Sequence, residues 1–120
     1  MQQSIKVHSR LLDLSSPKVM AIVNVTPDSF YTSWGGFDAD TLLYNIQTMM
    51  EQGADIIDVG ACSTRPNSTP VNAEEEWKRL APVLQLIRTH FPNVILSVDT
   101  FRAGIADKAI KAGADIINDV

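Results

Sequence analysis

The sequence predicts an α/β fold with a parallel sheet, and two observations support this prediction. Four short segments rich in isoleucine and valine alternate with longer segments of helical periodicity, and a six-residue segment recurs with one substitution. Near-continuous apolar runs of this length are typical of strands buried on both faces, as in parallel sheets. Strands that alternate with helices form either a doubly wound sheet or a barrel.

The predicted strands lie at residues 19–25, 56–59, 94–98 and 116–117. Three predicted helices lie between them, each with apolar residues on one face. These apolar residues are Leu42, Leu43, Ile46, Met49 and Met50, then Trp77, Leu80, Leu84 and Ile87, then Ile105, Ala106, Ala109 and Ile110. Asn72 followed by Glu75 is typical of an N-terminal helix cap, and Gly53 and Gly113 stand where helices should end. Pro82 lies inside the second predicted helix, where we expect a kink.

The repeated segment bears on the architecture. Gly53-Ala54-Asp55-Ile56-Ile57-Asp58 returns sixty residues later as Gly113-Ala114-Asp115-Ile116-Ile117-Asn118, an interval that fits two β/α units. Four strands and three helices are half of a (β/α)8 barrel, which takes roughly 250 residues in full. We therefore predict the first half of such a barrel at residues 18–120, as part of a longer protein. For residues 1–17 we predict a hairpin that closes the barrel bottom.

Composition and charge limit the classes of binding partner and the cellular compartments that we expect for this protein. The net charge is −4 and the basic residues are scattered, so neither nucleic acid nor an anionic membrane is expected as a partner. No apolar run approaches the ~20 residues of a membrane helix, and residues 1–10 lack an apolar signal core. Cys62 is the single cysteine, which fits a cytoplasmic protein. A homodimer or other self-association is expected, because half a barrel leaves sheet edges unpaired.

Each predicted strand ends in or near a polar side chain that could line a ligand site. These residues are Asn24, Asp58, Asp99 and Asn118. In parallel α/β folds the carboxyl ends of the strands meet at one edge, where ligands bind. Any one of the four could equally cap or turn the chain as it leaves its strand. Four of them at four strand ends favour a binding site.

Two loops add further candidates. The first contains Thr26-Pro27-Asp28-Ser29-Phe30 and is long for a β/α connection, as functional loops often are. The second contains Ser63-Thr64-Arg65-Pro66, in which Arg65 offers a planar guanidinium suited to phosphate; alternatively, Arg65 is a solvated surface residue. The sequence has no glycine-rich nucleotide motif and no Cys/His cluster, so Rossmann nucleotide binding and zinc binding are not supported.

Four motifs together resemble those of the dihydropteroate synthase family. They are Asn24-Val25-Thr26-Pro27-Asp28-Ser29-Phe30, Ser63-Thr64-Arg65-Pro66, Ser97-Val98-Asp99-Thr100 and Ile117-Asn118-Asp119-Val120. They occur in the family's order and spacing from about Lys18 onward. The resemblance implies a pterin-binding TIM barrel, of which this chain would be the first half.

The resemblance also implies a reaction in folate biosynthesis. The family condenses 6-hydroxymethyl-7,8-dihydropterin pyrophosphate with 4-aminobenzoate to give 7,8-dihydropteroate and pyrophosphate, and sulfonamides bind in its aminobenzoate pocket. Carried over by motif, the catalytic residues would be Asp99 and Asn118, which bind the pterin, and Arg65, which contacts pyrophosphate. Asn24 would hold Mg²⁺, the implied cofactor, together with pyrophosphate. The other substrate-binding residues would be Thr26, Pro27, Asp28, Phe30, Ser63 and Thr64.

Several positions depart from the family pattern. Gly60-Ala61-Cys62 stands where Gly-Gly-Glu is common, and Tyr31, Trp34 and Asn67 are atypical of the two loops. The family's later Asp, Lys and Arg-x-His motif would lie beyond residue 120. We therefore expect the 120-residue chain alone to be inactive.

Two alternative functions remain open from the sequence. The pterin-binding barrel of a corrinoid-dependent methyltransferase shares the positions of Asn24, Asp99 and Asn118, although both loop motifs argue against it. The other alternative is a half-barrel that only associates with itself and has no catalytic role.

Overall fold

A computed structural model describes residues 4–7, 10–13, 18–25, 38–61 and 71–118. Strands β1 (Ser4–Val7) and β2 (Arg10–Asp13) form an antiparallel pair. The alternating elements that follow are β3 (Met20–Asn24), α1 (Ala39–Glu51), β4 (Ile56–Gly60), α2 (Ala73–His90), β5 (Ile95–Asp99), α3 (Ala103–Lys111) and β6 (Ile116–Asn118). All four predicted strands and all three predicted helices are present. The location of the hairpin at the bottom of a barrel, and the boundary at residue 17, stay predictions.

The order of strands in the sheet identifies the architecture. The four strands β3, β4, β5 and β6 are parallel, and each pairs with the next one along the chain. In a doubly wound sheet the order reverses at a switch point, whereas in a barrel it follows the chain. The sheet therefore has the topology of part of a β/α barrel, and the predicted fold class is confirmed.

The two faces of the sheet differ in their surroundings. One face carries Val23, Val59 and Val98, which are buried in a single core together with helical residues such as Leu42 and Leu84. The opposite face carries exposed apolar residues on β3, among them Ile22, which is 60% exposed. Because side chains alternate between the faces of a strand, the polar residues Asn24, Asp99 and Asn118 share this second face with Ile22. The sheet thus turns its apolar face to the helices and its polar residues to the barrel interior.

Local signals in the sequence set the helix ends. The side chain of Asn72 accepts a hydrogen bond from the Glu75 backbone N–H at 2.8 Å, which confirms the predicted cap of α2. Asp38 caps α1 in the same way, at 3.0 Å from the backbone nitrogen of Thr41. Helix α2 continues through Pro82 without a break.

The repeated Gly-Ala-Asp segment has a structural role in both copies. Gly53 and Gly113 adopt φ angles of 103° and 111°, a left-handed conformation that glycine tolerates best. Two residues later, Asp55 accepts the backbone N–H of Val19 at 2.8 Å, and Asp115 accepts that of Leu96 at 2.9 Å. Each repeat therefore ends a helix and fastens the start of the next strand to the preceding strand of the sheet.

Candidate functional site

Three of the predicted site residues lie in one row across the carboxyl edge of the sheet. The strand register pairs Asn24 with Gly60, Gly60 with Asp99, and Asp99 with Asn118. The backbone N–H of Thr100 donates to the carbonyl oxygen of Asn118 at 3.1 Å and continues this pairing past the end of β5. Strands only about 4.8 Å apart place Asp99 and Asn118 within reach of one small ligand.

The prediction that Asp58 belongs to this row of strand ends was wrong. Strand β4 continues to Gly60, so Asp58 lies two residues before its end and pairs with Ser97 instead. Both side chains are buried; Asp58 is only 1% exposed. Asp58 and Ser97 form a second polar layer directly beneath the edge row, on the same face of the sheet.

Gly60 makes room for the carboxyl group of Asp99. A β-carbon on Gly60 would lie 3.3 Å from Cβ of Asp99 and 3.5 Å from its Oδ2. A side chain at position 60 would therefore crowd Asp99 where it leans toward β4. Sequence reasoning missed this role, although a glycine at the end of an apolar strand was a usable signal.

The surroundings of Asp99 raise its pKa to about 7, first because the carboxyl group is desolvated and then because Asp58 hydrogen-bonds to it and repels its charge. A hydrogen bond with Asn118 acts in the opposite direction. Three oxygen atoms in this region, Asp58 Oδ1, Ser97 Oγ and Asp99 Oδ1, are buried and have no hydrogen-bond partner within the described residues. Buried oxygens in this state are available to donors from a ligand, from water or from other parts of the chain.

Two arginines fix the residues on either side of the second loop, in which Ser63, Thr64 and Arg65 lie. Arg79 on α2 donates to the carbonyl oxygen of Ala61 at 3.1 Å. Arg102, just after β5, donates to the carbonyl oxygen of Val71 at 2.7 Å and to the buried carboxylate of Glu76 at 2.7 Å. Arginine side chains therefore hydrogen-bond to Ala61, the last described residue before this loop, and to Val71, the first described residue after it. No local sequence pattern had revealed these contacts.

The remaining predicted site residues lie outside the described part of the chain. They are Thr26, Pro27, Asp28, Phe30, Ser63, Thr64 and Arg65. Among the described residues, no group of three or more His, Cys, Asp or Glu side chains could hold a metal ion. No helix in the described ranges is long and apolar enough to cross a membrane.

Comparison with known proteins decides the family. A family model described as pterin binding enzyme matches residues 20–120. The chain belongs to this pterin binding family. The family's match begins at β3 and includes every residue of the row at the carboxyl edge.

Individual relatives of the pterin binding family agree with this result. The chain is 42% identical to the dihydropteroate synthase of Haemophilus influenzae over 94% of its own length and 41% of the relative. It is 48% identical to the enzyme of the same name from Bacillus subtilis over 85% of its own length and 35% of the relative. The chain thus spans about two-fifths or less of the length of these two relatives.

Solved structures of dihydropteroate synthases are also similar to this chain. The structure of Xanthomonas albilineans dihydropteroate synthase with 4-aminobenzoic acid superposes with a TM-score of 0.86 at 39% identity, covering 100% of this chain and 44% of that one. The Burkholderia cenocepacia dihydropteroate synthase complexed with 7,8-dihydropteroate superposes with a TM-score of 0.78 at 35% identity, covering 98% and 38%. The half-barrel of this pterin binding chain therefore corresponds to less than half of each of these enzymes.

Proposed function

We propose that this chain forms the pterin-binding part of a dihydropteroate synthase. The enzyme would condense 6-hydroxymethyl-7,8-dihydropterin pyrophosphate with 4-aminobenzoate to give 7,8-dihydropteroate and pyrophosphate. The observation that carries the proposal is the register that sets Asp99 beside Asn118 at the carboxyl edge of the sheet. The ligands named for the two solved relatives, 4-aminobenzoic acid and 7,8-dihydropteroate, are those that this reaction uses and makes.

The side chains of Asp99 and Asn118 suit the edge of a pterin ring. A pterin presents N–H donors and a carbonyl acceptor side by side. The Asp99 carboxylate would accept the donors, and the Asn118 amide can both donate and accept. When the C–O bond to pyrophosphate breaks, positive charge develops on the pterin methylene group, and a fixed carboxylate stabilises that charge. The aniline nitrogen then forms the new C–N bond and loses a proton.

The two loops would supply the other half of the site. Arg65 would bind the pyrophosphate through its planar guanidinium. Phe30, Ser63 and Thr64 would shape the aminobenzoate pocket, with Thr26, Pro27 and Asp28 alongside. A Yersinia pestis relative in complex with a sulfonamide drug supports the inference that sulfonamides would compete for this pocket.

The described residues fit a role for Mg²⁺ at Asn24. Asn24 is exposed at the end of β3, and its amide oxygen is the kind of hard ligand that Mg²⁺ accepts. Mg²⁺ commonly binds through one or two protein oxygens, with water and substrate phosphates as its other ligands, so a single amide ligand beside a pyrophosphate is chemically reasonable. Bound there, the ion would neutralise charge on the departing pyrophosphate.

We further propose that the enzyme is cytoplasmic, on the basis of its single cysteine, and that it acts as a homodimer.

The proposal is tested with the full-length enzyme by replacing Asp99 with asparagine. We expect turnover to fall by ~10²–10³ in a coupled pyrophosphate-release assay, because the fixed negative charge is lost. Asp107→Asn is the matched control, since Asp107 lies on the exposed side of α3 and pairs only with Lys111 among the described contacts. Turnover by Asp99→Asn equal to that of the control would refute the proposed role.

A further inference from the structure

The two aspartates on the inner face of the sheet lie on neighbouring strands, one layer apart. Asp58 is two residues below Gly60 on β4, and Gly60 pairs with Asp99 on β5. Because position 60 has no side chain, the Asp99 carboxyl group can lean toward β4, and the buried Oδ1 atoms of Asp58 and Asp99 both lack a hydrogen-bond partner within the described residues. Asp58 also contributes to the raised pKa of Asp99. Asp58 is 1% exposed, so its carboxyl group is shielded from bulk water.

A hydrogen bond between two carboxyl groups requires a proton on one of them. Two ionised carboxylates would repel each other in a desolvated site, and neither could donate. The neighbours of Asp99 on this face, within the described residues, are Asp58 and Gly60 on β4, Ser97 on β5 and Asn118 on β6. Asp58 is the only one of these that carries charge.

Among the described residues, the other charged groups near Asp99 face away from it. The guanidinium of Arg102, which follows β5, is turned toward Glu76 on α2. On β3 the inner-face residues are Met20, Ile22 and Asn24, and none of them titrates. Asn24 is separated from Asp99 by the whole width of β4, or about 10 Å.

We propose that Asp58 and Asp99 share one proton, and that Asp58 is a positioning residue that holds this proton while Asp99 binds the pterin. A ligand that offers N–H donors needs an ionised Asp99. The proton then resides on Asp58, whose hydroxyl continues to donate to Asp99 and keeps it oriented. No bond other than O–H is made or broken, and the proton stays within the pair. This inference rests on the proposed function, since it assumes that the ligand is a pterin.

A shared proton makes pterin binding depend on pH in a defined direction. In the one-proton state the pair carries a single negative charge, which the N–H donors of the ligand can compensate. Above about pH 7 the pair loses its proton and becomes a dianion, which is costly to bury under a ligand. Pterin affinity should therefore fall as the pH rises through this range. An isolated Asp99 would give the opposite sign, because its ionised form would become more abundant.

The pair itself is tested in the full-length, ligand-free enzyme by carbon-13 NMR of labelled aspartate side chains. In the wild type, the Asp99 carboxyl signal should titrate with a midpoint near pH 7, and the Asp58 carboxyl signal should change over the same pH range because the proton is shared. They are assigned by their disappearance in Asp58→Asn and Asp99→Asn. In Asp58→Asn, the Asp99 signal should titrate at a lower pH than in the wild type, because the repulsion from Asp58 is lost while the desolvation remains. A wild type in which the Asp99 signal titrates alone would overturn the inference, and this measurement does not depend on any variant at position 58 being stable.

The positioning role is tested by calorimetric titration of 6-hydroxymethylpterin between pH 6 and 9. The Asp58→Asn substitution keeps the size of the side chain and supplies a permanent donor to Asp99. Affinity for the wild type should fall above about pH 7 more steeply than affinity for Asp58→Asn, by up to tenfold per pH unit. Titration of the pterin itself contributes equally to both proteins. Ser97→Ala, which alters the same buried layer without removing a charge, should keep the steep wild-type profile.

The outcomes distinguish the two proposals. Parallel pH profiles for the wild type and Asp58→Asn would overturn the positioning role and leave pterin binding intact. Failure of the wild type to bind the pterin at any pH would overturn the proposed function and the positioning role together. The NMR midpoint would then still decide whether the shared proton exists.

Discussion

The guanidinium of Arg88 at the end of α2 lies 3.0 Å from the carboxylate of Asp115 at the start of β6. The same carboxylate oxygen accepts the backbone N–H of Leu96 at 2.9 Å. Arg88 also donates to the carbonyl oxygens of Val94 and Gly113, at 3.0 and 2.6 Å. One side chain therefore joins α2 to the starts of two neighbouring strands, at the end of the sheet opposite the candidate site.

Replacement of Arg88 by methionine should destabilise the fold. Asp115, whose side chain is 5% exposed, would lose its contact with the guanidinium, and the backbone carbonyls of Pro92, Val94 and Gly113 would lose a donor. Arg88 itself is 25% exposed, so we expect a loss near the lower end of the range for buried ion pairs, about 3 kcal/mol. Urea denaturation measures the loss, and a double-mutant cycle with Asp115→Asn isolates the pair. A loss below about 0.5 kcal/mol would show that Arg88 behaves as an ordinary surface residue.

Three glycine-to-alanine substitutions separate backbone strain from steric crowding. Gly53 and Gly113 share a left-handed φ, but only Gly113 is crowded: a β-carbon there would lie 3.1 Å from Nε of Arg88. Gly104 lies inside α3 with open space around it. Gly104→Ala should stabilise the protein by up to about 1 kcal/mol, whereas Gly53→Ala should destabilise it by roughly 1 kcal/mol. Gly113→Ala should be the most destabilising; equal midpoints of thermal unfolding for Gly53→Ala and Gly113→Ala would contradict the crowding at Arg88.

The pair formed by Arg102 and Glu76 should contribute far more than the exposed pair formed by Lys111 and Asp107. The side chain of Glu76 is 1% exposed, so Arg102→Met would leave a buried carboxylate uncompensated and cost roughly 3 kcal/mol. Lys111 and Asp107 lie in solvent on α3, where Lys111→Met should cost about 0.5 kcal/mol or less. Chemical denaturation of both variants gives the comparison. Similar losses would mean that solvent screens both pairs alike.

A polypeptide of these 120 residues should self-associate and should make no dihydropteroate. Strands β3 and β6 are the edges of the sheet, and the inner face exposes Met20 and Ile22. Unpaired edges and an open apolar face favour pairing between copies, most simply as a two-fold dimer. Sedimentation at micromolar concentration measures this.

Two variants locate the surface through which the polypeptide associates. Ile22→Glu should weaken association, because it places a charge on the open inner face. Tyr44→Glu should not, because Tyr44 is 72% exposed on α1, away from that face. A folded wild-type monomer would contradict self-association, and product formed by the purified polypeptide would contradict its expected inactivity.

The secondary structure was predictable because its signals are local. Apolar runs predicted the four strands, and apolar periodicity predicted the three helices. Asn72 and Gly113 indicated helix ends, because caps and left-handed turns depend only on residues close in the chain. The motifs around Asn24, Asp99 and Asn118 were also short enough to be recognised from the chain alone.

The sequence by itself determined which residues form strands and which polar side chains stand near their ends; only the tertiary structure decided which of these side chains meet. The apolar run before Asp58 predicted that this residue ends its strand, but the pairing of β4 with β5 placed it opposite Ser97, one layer below the edge residue Asp99. The partnership of Arg102 with Glu76 likewise joins residues 26 positions apart. Register between strands depends on the packing of one whole face against the helices, and a shift of one residue would turn every side chain to the other face. That information is distributed over the core, so no single motif carries it.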